Sequence, residues 1–158
     1  MTHDEIIEQA QATFQRGDPE AVRLMLQRYP ELRAHINDPI GPFNSPVILL
    51  VRTPEMLDAL LEAGADINAQ SSWWAGGFGL LHSAPPEVCK HAIDRGARVD
   101  AHAAARLGML DALREMLKAD PALVHARGGD GQTPLHFARD VEIAALLLEH
   151  GADIDAID

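Results

Sequence analysis

The chain has 158 residues, 47% of them hydrophobic and 23% charged, which fits one globular domain and excludes a disordered chain. Thirteen lysines and arginines against 24 aspartates and glutamates give a net charge of −11, whereas a nucleic-acid footprint requires the opposite sign. A single cysteine, Cys89, excludes an internal disulfide, and the sequence shows neither a signal peptide nor an apolar run of membrane-spanning length. We therefore expect a cytoplasmic protein that binds neither nucleic acid nor membrane.

One apolar pattern occurs five times along the chain: two adjacent apolar residues, two intervening residues and two more apolar residues. The instances begin at Ala21, Met56, Val88, Ala112 and Ile143. Because residues four apart lie on one face of an α-helix, each instance predicts a helix with a broad apolar stripe. Cys89 falls within the third stripe, so we predict a buried structural thiol rather than a nucleophile.

The predicted helices carry recognisable stop and start signals. Three are followed by glycine-led segments, GADIN from 64, GARVD from 96 and GADID from 151, and the other two run into Pro30 and Pro121. Glycine tolerates the left-handed conformation that ends a helix, and proline cannot continue one. A shorter helix is predicted before each long one. Its clearest start is Thr133–Pro134, because threonine caps free N–H groups and proline at the first helical position loses no hydrogen bond.

The segment DGQTPLHFARDVEIAALLLEHGADIDAID, from residue 130, resembles the ankyrin-repeat family, whose unit is a hairpin finger followed by two antiparallel helices. The resemblance rests on Thr-Pro-Leu-His, the paired leucines and Gly-Ala-Asp in register, and it covers nearly the whole chain. It implies an all-α ankyrin-repeat solenoid of stacked helix-turn-helix units with hairpin-like finger loops. We predict a single domain over residues 1–158, with units at approximately 1–37, 38–69, 70–100, 101–126 and 127–158.

The spacing of the units is uneven. The closing apolar residues Leu26, Leu61, Ile93, Leu117 and Leu148 are separated by 35, 32, 24 and 31 positions. In the short interval GARVDAHAAA runs almost directly from one unit into the next helix, so the finger between units three and four is missing. The two preceding fingers, AHINDPIGPFN and NAQSSWWAGGFG, are longer than the family's usual connection, while HARGGDGQ is ordinary. We therefore predict a notch beside the third unit, with Trp73 and Trp74 at its edge.

His82, His102 and His136 occupy the same place in three successive units. A zinc site would need each nitrogen about 2.0–2.1 Å from the ion, whereas equivalent positions on packed helices lie roughly 8–10 Å apart. The family resemblance implies instead that these histidines hydrogen-bond the capping threonine and the neighbouring finger. We predict no metal, no cofactor and no catalytic residues.

Four of the seven aromatic residues lie in the two long fingers. Tryptophan is enriched at binding hot spots, but a ring in such a finger can equally pack onto its own fold, and the sequence leaves both readings open. The resemblance implies a non-enzymatic protein–protein interaction module that binds through the fingers and the concave helix face. The predicted partner-binding residues are Phe43, Trp73, Trp74, Phe78, Arg106, Arg127, Asp130 and Arg139.

The alternative is a small-molecule or catalytic site in the notch, since a recess with aromatic walls and convergent polar groups is typical of such sites. Its predicted walls are Trp73, Trp74, His82, His102, Arg106, Asp130 and His136.

The two ends of the chain carry separate predictions. Ile6, Ile7 and Phe14 are expected to pack onto the second unit under an N-terminal polar cap that includes His3 and Asp4. No sixth unit follows to cover Leu146, Leu147 and Ile154, although terminal repeats need a polar outer face. We expect either a piece of a longer chain or a protein that self-associates through that end.

Overall fold

The computed structural model describes residues 3–158, with side chains from residue 5 onward. Met1 and Thr2, which belong to the predicted first unit, lie outside the described residues, as do the side chains of His3 and Asp4 in the predicted cap. The described residues form α-helices at His3–Arg16 (α1), Pro19–Arg28 (α2), Pro54–Glu62 (α3), Pro86–Asp94 (α4), Ala101–Leu107 (α5), Leu110–Ala119 (α6) and Val141–Glu149 (α7). Short 3₁₀ helices lie at Pro30–His35, Pro42–Asn44, Val47–Leu50, Leu80–His82, Pro121–His125, Gly129–Gly131 and Pro134–Phe137. Between residues 3 and 158 the structure has no β-strand, and its only bridges are isolated ones.

All five long helices predicted from the apolar pattern are confirmed, as α2, α3, α4, α6 and α7. Their apolar stripes are largely buried, with Met56, Leu57 and Leu60 of α3 almost completely enclosed, but Leu148 in the predicted stripe of α7 is exposed. The three glycine stops take the left-handed conformation, with φ of 94° at Gly64, 95° at Gly96 and 89° at Gly151. The periodic positions and the stop signals therefore mark where the long helices lie, and packing of their apolar faces stabilises them.

The shorter helices are less regular than the family resemblance implies. Three of them are single 3₁₀ turns, Val47–Leu50, Leu80–His82 and Pro134–Phe137, and α5 is α-helical. Before α2 the prediction of a shorter helix is wrong, because α1 has 14 residues and α2 has 10. Extended residues, Pro46 and Val51, bound the first of these 3₁₀ turns on both sides, and extended Thr133 precedes the last. Since so few residues separate a finger from the next long helix, the chain has room for one tight turn but not for an α-helix.

Many acidic residues serve as helix caps. The Asp18 carboxylate accepts hydrogen bonds from the first N–H groups of α2, and Asp100 and Asp140 do the same for α5 and α7. Each cap satisfies a donor that has no partner inside its helix, and the negative charge sits at the positive end of the helix dipole. These carboxylates therefore have a structural role, which is to cap the helices.

The chain packs as two compact units. The first comprises the residues up to Trp73 together with Gly79–Ala97, and the second comprises Trp74–Phe78 together with Arg98–Asp158. The largest side chains buried in the first unit are Val22, Leu26, Val47, Ile48, Met56, Leu57, Leu60 and Leu80. The core of the second is formed by Ala101, Ala104, Ala105, Leu113, Leu117, Val124, Ile143, Leu146 and Leu147. The single domain predicted over residues 1–158, with its five numbered units, stays a prediction.

In the first unit α1 packs against α2 and against the turn Val47–Leu50. Phe14 is buried there, as predicted, while Ile6 and Ile7 are half-buried.

The prediction that Leu146 and Leu147 lie uncovered is wrong. Both are buried in the core of the second unit, because they share with Ile143 the face of α7 that points inward. Ile154 is exposed as predicted. The other large apolar residues exposed near this end are Val141, Leu148 and Ile157.

Candidate functional site

Two of the three histidines at equivalent positions, His82 and His136, make local hydrogen bonds. In the first unit Nδ1 of His82 accepts the N–H of Gly79 at 3.0 Å. In the second, Nδ1 of His136 accepts the N–H of Thr133 at 3.0 Å and lies 3.0 Å from the Thr133 hydroxyl. The same residue spacing thus closes the same turn twice, with glycine replacing threonine in one copy.

His102 reaches a finger instead. Its ring is buried, and Nε2 lies 3.2 Å from the Ala126 carbonyl oxygen and 3.0 Å from that of Gln132. Carbonyl oxygens only accept, so Nε2 carries the proton and donates to the base of the finger. Across the described residues, no group of three histidine, cysteine, aspartate or glutamate side chains is placed to hold a metal ion.

Cys89 is buried, as predicted, and its Sγ lies 3.4 Å from the carbonyl oxygen of Ala84. A thiol so enclosed has no access to a substrate, and it fills space on the inner face of α4.

The first finger presents an aromatic pair. Its tip runs from Gly41 to Ser45, closed by the hydrogen bond from the Gly41 N–H to the Ser45 carbonyl at 2.8 Å. Phe43 is 67% exposed and lies edge-on to the Trp73 ring, with the ring centroids 5.2 Å apart and the planes at 87°. The N–H of Ser72, the residue before Trp73, donates to the Asn44 carbonyl at 3.0 Å. The edge-to-face contact and this bond hold the tip against the start of the next finger.

The finger at residues 128–132 has the same tip conformation. The Gly128 N–H donates to the Gln132 carbonyl at 2.8 Å, as Gly41 does to Ser45. Asp130 has φ 55° where Phe43 has φ 57°, and Gly131 has φ 72° where Asn44 has φ 53°. Left-handed backbone is unfavourable for a bulky residue such as phenylalanine. The tip at residues 41–45 therefore carries local strain that the tip at residues 128–132 avoids.

A loop at residues 74–78 packs onto the finger at residues 128–132, and both belong to the second unit. Gly76 has φ 107°, and a Cβ there would lie 2.6 Å from the Gly128 carbonyl oxygen. A Cβ on Gly129 would overlap the Phe78 ring, which therefore lies directly on that glycine. Phe78 is half-buried in this contact. Its role in the fold is to anchor the loop, whereas Trp74, at the other end of the loop, is 85% exposed.

The predicted polar contacts also have roles in the fold. Nη1 of Arg127 donates to the carbonyls of Gly131 and Ile157, both at 2.6 Å, so it ties the finger to the C-terminal segment. Nη1 of Arg139 donates to the Leu107 carbonyl at 3.2 Å. Asp130 is exposed at the finger tip, and Arg106 is half-buried at the end of α5.

The predicted walls of the notch divide between the two units. Trp73 and His82 belong to the first, and Trp74, His102, Arg106, Asp130 and His136 to the second. A small-molecule or catalytic site there stays a prediction.

Sequence reasoning missed one polar cluster in the first unit. Oδ1 of Asp58 on α3 lies 2.9 Å from His91 Nε2 and 3.0 Å from Arg95 Nη2, both contributed by the neighbouring stretch that contains α4. The only available signal was an aspartate in the middle of an apolar helix.

Three exposed groups have pKa values displaced by their neighbours. The pKa of Glu115 is lowered by its hydrogen bond to Lys118, and the pKa of Asp158 is lowered chiefly by the hydrogen bond from Gln132. The pKa of Arg23 is raised, chiefly by its hydrogen bond to Glu62. All three are surface pairs of the kind that contribute little to stability, and none lies in a recess suited to catalysis.

The recurring arrangement of a finger, a short helix and a longer helix defines a helical-repeat protein. A family model described as ankyrin repeats (3 copies) matches residues 80–158, which is half of the chain. The chain belongs to the ankyrin-repeat family and has an all-α ankyrin-repeat fold. Ankyrin repeats are in general protein–protein interaction modules and are typically non-enzymatic.

A serine/threonine-protein kinase, VIK, from Arabidopsis thaliana is 48% identical to the chain over 50 residues. These residues are 30% of this chain and 11% of the kinase, so the match covers about a tenth of that relative's length. None of the helices in residues 3–158 has the length and apolarity needed to cross a bilayer.

Proposed function

We propose that this protein is a binding module for another protein, which it contacts through its finger tips, with Trp74 as the principal apolar anchor. The observation that carries the proposal is that Trp74 is 85% exposed on a loop that is itself fixed. Buried rings need no partner, and an exposed ring on a mobile loop would lose much of its binding energy in being ordered. A tryptophan presented on an anchored loop combines large contact area with a small entropic cost.

Two further features support a finger surface. Phe43 is exposed on the first finger and supported from the side by Trp73. The strain of its left-handed backbone is a cost that folding alone does not require, since the Gly-Asp-Gly tip makes the same turn without a bulky ring. Asp130 occupies the corresponding place on the finger at residues 128–132. The two tips therefore present an aromatic ring and a carboxylate on the same backbone conformation.

We propose a different role for three of the other predicted residues. Phe78, Arg127 and Arg139 position the loop, the finger and the C-terminal segment, and we assign them no direct contact with the partner. The proposed contact residues are therefore Trp74 and Asp130 in the second unit and, as a separate pair, Phe43 and Trp73 in the first, and Arg106, half-buried at the end of α5, is assigned no direct contact. A protein partner suits them better than a nucleic acid, since the chain carries a net charge of −11.

The test compares Trp74→Ala with Leu24→Ala. Leu24 is the matched control, because it is an apolar residue 64% exposed on α2 and belongs to a helix rather than to a finger. Immobilised wild type and both variants are incubated with an extract of the source cells, and the captured proteins are quantified by mass spectrometry. We expect at least one protein to be captured by wild type and by the Leu24 variant but lost with Trp74→Ala.

The captured partner is then purified and its affinity measured by calorimetry. Loss of a hot-spot tryptophan should weaken binding by roughly tenfold or more. Thermal melts of both variants should match wild type, which separates a binding defect from a folding defect. Equal capture and equal affinity for wild type and Trp74→Ala would refute the proposal.

A further inference from the structure

Helix α7 is apolar on two opposite faces. Ile143, Leu146 and Leu147 face the core of the second unit. On the other side Val141, Ala145 and Leu148 follow one another at spacings of four and three, so they form a stripe along the helix. Val141 is 83% exposed and Leu148 is 41% exposed. A surface helix is normally polar on its outer face, so this stripe is unusual.

The equivalent position carries a charge in all four other long helices, including Lys90 of α4 and Arg114 of α6, and in two of them it pairs with the next helix. Counting from the start of the repeated apolar pattern, Ala145 of α7 corresponds to Arg23 of α2 and to Asp58 of α3. Nε of Arg23 lies 3.3 Å from Glu62 on α3, and Oδ1 of Asp58 lies 2.9 Å from His91 on α4. In both cases the position faces the next helix and is joined to it by an ion pair. In α7 the same position is a small apolar residue, which suits the close approach of an apolar helix.

The stripe has an acidic border. Glu142 and Glu149 lie along one side of it on α7 and are exposed. Asp153, Asp155 and Asp158 follow in the segment after the helix, and all three are exposed. Such a border favours a partner with cations beside its apolar contacts and opposes a second copy of this chain, which would bring the same carboxylates against it.

The segment after α7 is held in place. Arg127 binds the Ile157 carbonyl, and Nε2 of Gln132 lies 3.2 Å from Oδ2 of Asp158. Ile154 and Ile157 are nevertheless exposed. They are therefore further exposed apolar residues on ordered backbone, and a partner that covers them has little additional chain to order.

We propose that the outer face of α7, formed by Val141, Ala145 and Leu148, is a second docking surface, separate from the finger tips. Its occupant is an amphipathic helix of another protein, with an apolar stripe bordered by lysine or arginine. Helix-in-groove recognition of this kind reads apolar anchors at three- and four-residue spacing, which is the spacing that this face presents.

The probe is a synthetic amphipathic helix with leucines on one face and lysines beside them, together with the same peptide carrying glutamates in place of the lysines. Binding to wild-type protein is measured by fluorescence anisotropy at low and moderate salt. We expect the lysine peptide to bind, its affinity to fall with salt, and the glutamate peptide to bind at least roughly tenfold more weakly. Equal binding of the two peptides would overturn the assigned partner chemistry.

Two variants locate the surface. Val141→Lys places bulk and one positive charge on the stripe and should weaken binding of the lysine peptide by roughly tenfold or more. Leu24→Lys adds the same charge to an exposed apolar site on α2 and should leave the affinity within about twofold of wild type after correction for charge. Thermal melts confirm that both variants fold, as expected for exposed positions. Unchanged affinity in the α7 variant, or an equal loss in both, would refute the site.

Sedimentation of the unliganded protein tests whether a second copy of this chain, rather than a helix of another protein, occupies the outer face of α7. We expect a monomer over the accessible concentration range. A dimer that Val141→Lys dissociates would show that a second copy occupies the face, and this would overturn the proposal.

Discussion

Replacing Gly76 by alanine tests whether the loop that carries Trp74 is held against its neighbouring finger. Gly76 has φ 107°, and an added Cβ would lie 2.6 Å from the Gly128 carbonyl oxygen. Gly151 is the matched control, since it has φ 89° and an added Cβ there meets no atom within 4 Å. Both substitutions place an L-residue in left-handed backbone, but only Gly76→Ala also forces two backbone segments apart.

The magnitudes follow from that difference. The backbone strain alone costs about 1–2 kcal/mol, and this is the whole effect expected for Gly151→Ala. In Gly76→Ala the distance between the new Cβ and the Gly128 carbonyl oxygen must also increase from 2.6 Å to about 3.4 Å, the lower limit of ordinary contact. This increase draws the loop away from Gly128. Partial exposure of the half-buried Phe78 ring then adds about 1 kcal/mol, a fraction of the 1.5–3 kcal/mol for full burial of an apolar side chain. We therefore expect Gly76→Ala to cost about 2–3 kcal/mol.

Urea unfolding followed by circular dichroism gives the free energy of unfolding of each variant. Tryptophan fluorescence gives the local readout, because Trp73 and Trp74 are the only tryptophans in the chain and both lie in this finger. The emission should change in Gly76→Ala and stay as in wild type in Gly151→Ala. If Gly76→Ala costs no more than Gly151→Ala and leaves the emission unchanged, the loop is not anchored as the structure shows it.

Three further predictions concern single contacts. Trp73→Ala should lower the free energy of unfolding by about 1–3 kcal/mol, since it removes an edge-to-face pair and a half-buried ring. Trp74→Ala should change the free energy of unfolding by no more than about 0.5 kcal/mol. Equal losses in urea titrations would contradict the separate roles of the two rings. Arg127→Ala should speed digestion by carboxypeptidase, because it frees the C-terminal segment from the finger, and an unchanged rate would show that the two hydrogen bonds do not hold that segment. Lys118→Ala should raise the pKa of Glu115 towards its ordinary value, as followed by NMR titration of the carboxyl group. Since the folded pKa is lowered in wild type, the pair's small stabilising effect is present above the ordinary glutamate pKa and is lost as the pH falls through the lowered value.

The repeated apolar pattern was enough to predict the long helices, because burial at three- and four-residue spacing determines both their existence and their inner face. It could not predict the tight turns before them, since Val47–Leu50 and Leu80–His82 are equally compatible with one turn of α-helix. The error at Leu146 and Leu147 has a related cause. Four consecutive apolar residues, Ala145 to Leu148, do not show which face of α7 points inward, and the packing of α7 against α6 decides it.

The candidate site was predictable in composition but not in geometry. Its location in the long fingers follows from where the aromatic residues occur in the sequence. Trp73 is packed and Trp74 is exposed because of two contacts on the Trp73 side: the hydrogen bond from Ser72 to Asn44 and the ring contact between Phe43 and Trp73. Both contacts join residues about thirty positions apart in the sequence. No local pattern encodes such contacts. Likewise nothing in the sequence of the loop indicates that Phe78 lies on Gly129.

The shared backbone of the two finger tips makes their central residues exchangeable. Pro42-Phe43-Asn44 and Gly129-Asp130-Gly131 occupy turns closed by the same hydrogen bond and entered through a glycine in each case. A library that randomises Phe43 and Asp130 would vary the chemistry of the tips without redesigning the helices beneath them, provided that the flanking residues are kept, among them Gly129, where a Cβ would overlap the Phe78 ring. The molecule is therefore a small scaffold on which new binding specificities can be selected, with the natural Phe43 tip and Asp130 tip as two starting points.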